Sequence, residues 1–415
     1  MDLKTVTLIA LILIAVALTH HKMLVFMDPE EAYFDNNATT RPFKHALDMM
    51  ARVAYVTYGN PSSPHALGRR ADRLLEECRN DLARMLGARS PHQLVFTSGA
   101  TESNNLALRG RISRVLQKSA PKPHVLCTPI EHASVSATLE DMDIDLETVG
   151  VDSLGRVDLA DLRAKIRPST ALFCVIAANN EIGTIQDMRA IVEACRARRV
   201  FLHADMTQMA GKYFLDLESS GVDSATISAH KFHGPRGVGL LYVRQGRTVK
   251  PCQTGGHQEG SMRAGTENLA GVAGMAAALY TCHDLIVTGE QKRVEAMRDY
   301  VRAQIRRICP NARFNGDPDS SLYSTLSVTL GKSQPAARDL VAMLSEAGVY
   351  VGTGSACNSS SIGSSKGSGT LKAIGLSDAE VRKTIRISLS FDNNMRQCRK
   401  LVACLERFLA DSPQK

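Results

Sequence analysis

The sequence contains no C-x-x-C pair, although ten of its 415 residues are cysteines. This absence removes support for a zinc site or a thioredoxin-like redox motif, since both use closely paired cysteines. The cysteine spacing is irregular and the chain is long, which is typical of a protein from a reducing compartment. We therefore predict no metal site and interpret most cysteines, such as Cys174 within the apolar run Ala171–Ala178, as core residues.

The sequence also lacks a block of consecutive lysines or arginines, despite a formal net charge of +8. In Arg69–Arg84 the arginines are interleaved with acidic residues such as Asp72 and Glu76, so the positive charge is dispersed. This dispersion argues against nucleic acid as a partner. Apolar residues make up 44% of the chain and charged residues 22%, which predicts a globular protein with a large core.

The apolar run near the N-terminus, Val6–Leu18, is short for a membrane-spanning helix, which needs about 20 apolar residues. Three interpretations stay open: a short anchor, a signal-peptide core with Ala15–Ala17 as a cleavage-like site, or a start codon misassigned ahead of Met23 or Met27. Positive charge is stronger after the run than before it, which favours a cytoplasmic main body. We therefore predict a cytoplasmic catalytic body with a possible membrane tether through residues 6–18.

Helix-like and strand-like segments alternate after residue 30. Amphipathic spacing predicts helices at Ala66–Leu86 and Asp187–Arg198, and short apolar runs predict buried strands. The predicted strands are Leu94–Thr97, Val125–Thr128, Leu172–Ala177, Phe201–Ala204 and Ala225–Ile227. This alternation indicates an α/β domain with a largely parallel sheet.

The pattern changes at about Glu290. A helix over about Gly289–Cys309 leads to a strand at Ser324–Leu330 and then to further helix and strand, which predicts a second, smaller α+β domain. Gly352–Thr370 is rich in glycine and serine, a composition typical of a mobile loop, and it contains Cys357.

One lysine stands where a structural lysine is not expected. Lys231 follows a predicted buried strand and precedes a Gly-Pro turn, between His230 and Phe232. A structural lysine prefers a solvated helix face, whereas a lysine at a strand end suits covalent catalysis through its amine. This pattern alone is also compatible with an ordinary surface lysine.

Two further segments have polar residues directly after predicted strands. Thr97–Glu102 places small residues at a strand-to-helix turn, where backbone N–H groups can bind an anion. His203–Gln208 ends an apolar strand with Asp205, at the edge where α/β sheets bind ligands, and this carboxylate could keep a cofactor ring nitrogen protonated. Each segment is equally compatible with a plain helix cap.

Nine segments occur in one order and make the combination specific. They are Tyr33–Thr40, Gly59–Ser63, Thr97–Asn105, Glu131 with His132, Asn179–Gly183, Asp205 with Gln208, Ser228–Gly239, Arg263–Asn268 and Gly354–Cys357. Together they resemble the cysteine desulfurase family (NifS/IscS-like) of class V, fold-type I enzymes that use pyridoxal phosphate (PLP). The resemblance runs from about Tyr33 to about Ser390.

The resemblance implies roles around the cofactor. Lys231 would hold PLP covalently, Asp205 would pair with the pyridine nitrogen, and Gln208 would bond the phenolic oxygen. His132 would stack on the ring and assist proton transfer, and Asn180 would lie beside the ring oxygen and the substrate. The residues implied for the phosphate are Ala100, Thr101, Ser228 and His230, with Thr266 reaching in from the other subunit of a homodimer.

The resemblance also implies the reaction. Arg386 would clamp the carboxylate of L-cysteine, and the Cys357 thiolate would take its sulfur as a persulfide while alanine is released. A free thiol has a pKa of about 8.5, so Cys357 requires activation, for which His132 is a candidate. A sulfur-acceptor protein, either an iron–sulfur scaffold or a tRNA-thiolation carrier, is the implied partner. Selenocysteine lyase, class V aminotransferase and a non-catalytic PLP-binding scaffold are the alternatives.

The fold implied by the resemblance is α/β, a fold-type I PLP-dependent transferase. Residues 40–288 would form a large PLP-binding domain with a mixed seven-stranded sheet. Residues 289–415 would form a small α+β domain carrying the Cys357 loop, joined by residues 23–39. Residues 1–22 would be the apolar N-terminal segment.

Overall fold

The computed structural model describes residues 31–116, 122–354 and 368–410. Cys357 and the apolar run Val6–Leu18 therefore lie outside the described residues. The described residues contain twelve strands: β1 Ala32–Phe34, β2 Leu94–Thr97, β3 His124–Cys127, β4 Asp145–Thr148, β5 Thr170–Ile176, β6 Phe201–Asp205, β7 Ser224–Ser228, β8 Gly239–Val243, β9 Arg313–Asn315, β10 Thr325–Thr329, β11 Val349–Thr353 and β12 Thr384–Ser388.

The described helices flank these strands. They are α1 Lys44–Val56, α2 Ala66–Met85, α3 Ala100–Leu116, α4 Ala133–Glu140, α5 Leu159–Lys165, α6 Met188–Ala197, α7 Leu217–Ser220, α8 Leu269–Val287, α9 Glu290–Ile308, α10 Ala337–Glu346, α11 Gly369–Ala373, α12 Asp378–Val381 and α13 Met395–Ala410.

The larger sheet has seven strands in the order β2-β8-β7-β6-β5-β3-β4. Strand β8 runs antiparallel to both of its neighbours, and the other pairs are parallel. The apolar runs that predicted strands are buried along their whole length in β5, β6 and β7, as expected for strands covered on both faces. The predicted mixed seven-stranded sheet is confirmed.

The smaller sheet has five strands in the order β1-β11-β12-β10-β9. Its first strand comes from the N-terminal part of the chain and pairs in parallel with β11, so Ala32 lies opposite Val349. A separate apolar core, which includes Phe34, Val301 and Leu401, lies under this sheet. The domain limits predicted from the sequence stay a prediction.

Helix α8 is long and apolar enough to cross a membrane by length and composition, and it is the one such helix among the described residues. It packs against α1 and α2, and Val272, Met275 and Leu279 are buried in the main core. A core helix has the same composition, so α8 gives little support for a membrane span.

Candidate active site

The candidate site is a cavity of about 530 Å³ at the carboxyl ends of β2, β5, β6 and β7. Strands of an open α/β sheet present their ligand-binding residues at this edge. The cavity is lined by most of the residues predicted from the sequence, namely Ala100, Thr101, His132, Asn180, Asp205, Gln208, Ser228, His230, Lys231 and Arg386.

Lys231 projects from the end of a 3-10 turn, Ala229–Lys231, that directly follows β7. Its Nζ donates to the backbone carbonyl oxygens of Asn37, at 2.8 Å, and Ala38, at 2.7 Å. Those carbonyls belong to the segment that follows β1, so the lysine connects the larger sheet to the chain leaving the smaller one. A primary amine just after the end of a strand, beside a cavity, is suited to covalent attachment of a carbonyl compound.

Asp205 ends β6 and is held in a buried hydrogen-bond network. One carboxylate oxygen accepts from Asn104 Nδ2 at 3.0 Å, and the other accepts from the backbone N–H of Thr207 at 3.0 Å. Asn104 Oδ1 pairs with His203 Nε2 at 3.0 Å, and burial lowers the pKa of His203 to about 4. A neutral His203 donates its Nε2 proton to Asn104, which fixes the amide so that its nitrogen faces Asp205.

The ring of His132 is fixed from the same network. Its Nδ1 accepts from the backbone N–H of Ser134 at 3.1 Å and lies 2.8 Å from Ser134 Oγ, which in turn accepts from Asn104 Nδ2. The contact caps helix α4. Because Nδ1 accepts, the neutral ring carries its proton on Nε2, where it can be exchanged with a ligand in the cavity.

One end of the cavity is suited to an anion. Ala100 and Thr101 form the first turn of α3, where backbone N–H groups and the helix dipole favour negative charge. Ser228 Oγ is buried, with no hydrogen-bond partner among the residues described. Burial and the nearby charge of Lys231 lower the pKa of His230 to about 4, so this histidine is neutral at pH 7.

Arg386, in β12, also lines the cavity and is 2% exposed. Its Nη2 donates to Asp35 Oδ1 at 2.7 Å and its Nη1 donates to the Asn180 carbonyl at 3.1 Å. Its Nε is buried and has no hydrogen-bond partner within the described part of the chain. A buried N–H without a partner is costly, so an acceptor atom bound beside it would be stabilising.

One predicted site residue lies outside this cavity, and another lies outside the described residues. Thr266 lies in a separate depression with Tyr58, Gly59 and Asn268. Cys357 falls within residues 355–367, outside the described residues. The roles of both therefore stay predictions, as does the contribution of Thr266 to another subunit.

The sequence reasoning missed contacts made by backbone groups and by second-layer side chains. The Asn37 carbonyl and Asn104 were within segments used for the resemblance, but neither had been assigned a role. Thr207, whose Oγ1 is buried with no partner among the described residues, also lines the cavity. The polar segment directly after a predicted strand was the signal that could have identified Thr207.

Comparison with known proteins places the chain in a family. Residues 32–401 match the family model described as aminotransferase class-V. The chain is 34% identical to the cysteine desulfurase IscS of Dictyoglomus turgidum over 382 residues, which cover 91% of this chain and 94% of that protein.

Solved structures agree. A NifS-like protein superposes with a TM-score of 0.83 at 33% identity, covering 91% of this chain and 98% of that one. SspA, solved in complex with cysteine, has a TM-score of 0.73 at 30% identity and covers 86% and 98% of the two chains. The chain therefore belongs to the cysteine desulfurase family of the class-V aminotransferases.

Proposed function

We propose that this protein is a PLP-dependent cysteine desulfurase that converts L-cysteine to L-alanine and transfers the sulfur to Cys357. The observation that carries the proposal is the convergence of Lys231, Asp205, His132 and Arg386 on one cavity. An amine, a buried carboxylate, a histidine and a buried guanidinium are the groups that this chemistry requires. Membership of the family supplies the reaction class.

The residues present fit PLP. Lys231 would hold it covalently, Asp205 would face the ring nitrogen, Gln208 and Asn180 would lie by the phenolic oxygen, and His132 would stack on the ring. The first turn of α3, Ser228 Oγ and His230 would hold the phosphate. When bound, PLP supplies an electron sink for carbanion chemistry at the substrate Cα.

We assign substrate binding to Arg386 and Asn180. The unpartnered Nε of Arg386 and its buried position support the binding of a carboxylate, since a guanidinium binds that group in a planar, directional way. Asp35 and the Asn180 carbonyl hold the other nitrogens of the guanidinium in place. The substrate would therefore be oriented before it reacts.

The sulfur transfer balances with groups that the chain supplies. The Cys357 thiolate attacks the substrate sulfur, an S–S bond forms, and the Cβ–S bond breaks with its electron pair left on carbon. A proton on that carbon gives the methyl group of alanine. His132, whose neutral ring has its proton on Nε2, is placed to exchange protons with a bound ligand and is our candidate for this step.

We further propose a homodimer and a sulfur-acceptor protein as partners. Exposed apolar side chains on or beside α1, α2 and α8 support self-association, since surface patches of this kind mark interaction sites. Tyr58, which shares a depression with Thr266, is 70% exposed, and Tyr280 in α8 is equally exposed. The acceptor would be an iron–sulfur scaffold or a tRNA-thiolation carrier. We place the catalytic body in the cytoplasm.

The test compares Cys357→Ala with wild type in a single turnover of L-cysteine by the PLP-loaded full chain. We expect wild type to yield alanine and a protein-bound persulfide, and Cys357→Ala to keep the bound-cofactor absorbance but lose both products by about 10³-fold or more, as for an essential nucleophile. Cys252→Ala, which removes an exposed cysteine, is the matched control and should behave as wild type.

The other outcomes separate the alternatives. Alanine formed from selenocysteine but not from cysteine by wild type would indicate a selenocysteine lyase. Transfer of the amino group to a keto acid, unaffected in Cys357→Ala, would indicate an aminotransferase. Bound PLP with no product from either amino acid would leave a non-catalytic scaffold.

A further inference from the structure

A second lysine, Lys212, is buried directly behind the cavity wall. It lies in the turn after β6 and is 6% exposed. The turn packs closely against the segment that carries Lys231, since a Cβ placed on Gly211 would stand 2.2 Å from the Phe232 Cβ. Lysine is almost never buried to this extent unless its amine has a partner.

The partner of Lys212 is Gln208, which lines the cavity. Lys212 Nζ donates to Gln208 Oε1 at 2.8 Å, and Gln208 Nε2 donates to the Asn37 carbonyl at 3.0 Å. That same carbonyl accepts from Lys231 Nζ. Lys212, Gln208, Asn37 and Lys231 thus form one chain of hydrogen bonds, which is buried as far as Asn37.

The donors and acceptors in this chain of hydrogen bonds fix the orientation of the Gln208 amide. A lysine amine can donate whether or not it is protonated, and a backbone carbonyl can only accept. The Gln208 oxygen must therefore face Lys212 and its nitrogen must face Asn37. An amide nitrogen carries two hydrogens, so Gln208 can donate to Asn37 and to a ligand oxygen in the cavity at the same time.

Lys212 also brings a titratable amine close to the site, and this amine is charged below about pH 7. Burial and the proximity of Lys231 lower the pKa of Lys212 to about 7. The titratable groups that face it are Lys231, His230, His233 and Cys282, with Asp392 3.6 Å from His233. An apolar side chain would fill this position without the cost of desolvating an amine, so its volume alone does not account for a lysine.

We propose that Lys212 is a positioning residue for the cofactor: it holds the Gln208 amide with its N–H toward the ligand oxygen and, while protonated, adds positive charge behind Lys231. This inference rests on the proposed function, because the ligand oxygen is the phenolic oxygen of PLP. Both effects lower the pH at which the bound lysine nitrogen loses its proton. A donor toward the phenolic oxygen stabilises its anion, and a nearby positive charge disfavours a proton on the bound lysine nitrogen.

The experiment is a pH titration of the visible absorbance of the bound cofactor in the full-length, PLP-loaded protein. Lys212→Met keeps the volume of the side chain and removes both the donor and the charge. We expect the midpoint of the absorbance change to rise by about 0.5 to 1 pH unit. Gln208→Ala should raise the midpoint as well, and the double variant should rise by less than the sum, because the two residues act through one hydrogen bond.

The controls separate positioning from loss of stability. Met275→Ala opens the buried core in α8 away from the cavity, so it should lower the unfolding temperature but leave the midpoint within about 0.2 pH unit of wild type. Lys212→Gln keeps a donor and removes the charge, and it should give a smaller rise than Lys212→Met. It serves as the informative variant if Lys212→Met does not fold.

The outcomes distinguish this inference from the proposed function. If the Lys212 variant that folds has the same midpoint as wild type, the inference is overturned. The proposed PLP-dependent function is not affected by that result. If the midpoint shift of the double variant equals the sum of the two single shifts, Lys212 does not act through Gln208. A wild-type protein that binds no PLP overturns the proposed function itself, before Lys212 is tested.

Discussion

Two carboxyl groups near His132 have raised pKa values. Burial raises the pKa of Glu131 to about 7, and burial also raises the pKa of Glu181 to about 7. Glu131 Oε1 accepts from the backbone N–H of Ile176 at 2.9 Å and from Thr128 Oγ1, while its Oε2 is buried. Glu181 accepts from Ser368, the first described residue after the segment that contains Cys357. Both groups are largely protonated below pH 7.

We therefore predict that Glu131→Gln changes the pH dependence of stability. A carboxyl with a raised folded pKa stabilises the protein below its unfolded pKa of about 4.5, and this contribution is lost as the pH rises through about 7. The wild-type free energy of unfolding should fall by about 1.4 kcal/mol per pH unit for this group across that window, and Glu131→Gln should remove that slope. Urea denaturation from pH 4 to 8 measures it.

The control for this prediction is Glu140→Gln, which changes an exposed carboxyl at the end of the following helix. It should leave the slope as in wild type. Parallel curves for Glu131→Gln and wild type would contradict the raised pKa of Glu131. A residual slope in Glu131→Gln is expected, because Glu181 still titrates in the same window.

At the scale of elements, a buried ion pair joins α2 to the segment after β8. Arg79 Nη1 and Nη2 donate to the two carboxylate oxygens of Glu259, each at 2.7 Å, and Glu259 also accepts from the backbone N–H of Phe96 at 2.7 Å. Glu259 has φ of 49° and Ser261 has φ of 65°, a left-handed backbone rarely adopted by residues with a side chain. The ion pair holds this strained turn, which leads to Thr266.

We predict that Glu259→Ala lowers the free energy of unfolding by about 3–5 kcal/mol, because it leaves a buried guanidinium with only the half-exposed Glu76 as a charged partner. The double variant Arg79→Met with Glu259→Met should recover part of this loss, since it removes both charges. Chemical denaturation measures both.

A matched control is present on the same arginine. Glu76 also contacts Arg79, at 3.0 Å, but its side chain is 41% exposed, so Glu76→Ala should cost no more than about 1 kcal/mol. Equal losses from Glu259→Ala and Glu76→Ala would show that burial does not govern the strength of this pair.

Local pattern was sufficient to predict elements with one apolar face or an unbroken apolar run. The helix predicted at Ala66–Leu86 is Ala66–Met85, and the strand predicted at Leu94–Thr97 has those bounds. The edge strand β4 was not predicted, because its sequence is polar and its side chains are partly or fully exposed. Helix α8 was not predicted either, since it is apolar on most sides and lacks a periodic signal.

The residues of the candidate site also differ in whether local sequence could predict them. Residues at strand ends within recognisable motifs, such as Lys231 and Asp205, could be predicted from the sequence with help from the resemblance. Lys212 and Glu259 could not, because their roles depend on partners that only the fold brings together. Glu259 meets Arg79 across 180 residues, a contact for which no local pattern exists.

At the scale of the whole molecule, the segment after β1 connects the two sheets. Asn37 donates its backbone N–H to Ser388 Oγ at 3.0 Å, its Nδ2 donates to Thr325 Oγ1 at 2.9 Å, and its carbonyl accepts from Lys231 and Gln208. Asp35 pairs with Arg386 in the same stretch. Residues near the start of the chain thus complete a site built from residues up to 351 positions away.

We predict that a chain starting at Glu31 folds cooperatively and binds PLP, whereas a chain starting at Thr40 does neither. The longer deletion removes β1, the Asp35–Arg386 ion pair and the bonds of Asn37, and it leaves the Arg386 guanidinium buried without its carboxylate. Thermal unfolding followed by near-ultraviolet circular dichroism compares the two. A cooperative transition in the shorter chain would show that β1 is dispensable.

The parallel pairing of β1 with β11 places Glu31 and Gly354 at opposite ends of these two strands. Glu31 precedes β1, whose Ala32 donates its backbone N–H to the Gly348 carbonyl ahead of β11, whereas Gly354 follows the other end of β11. The five residues of β11, at about 3.3 Å each, separate these two ends by roughly 15–20 Å. A tag or solid support coupled directly to Glu31 would therefore hold the small sheet by the strand end remote from Gly354.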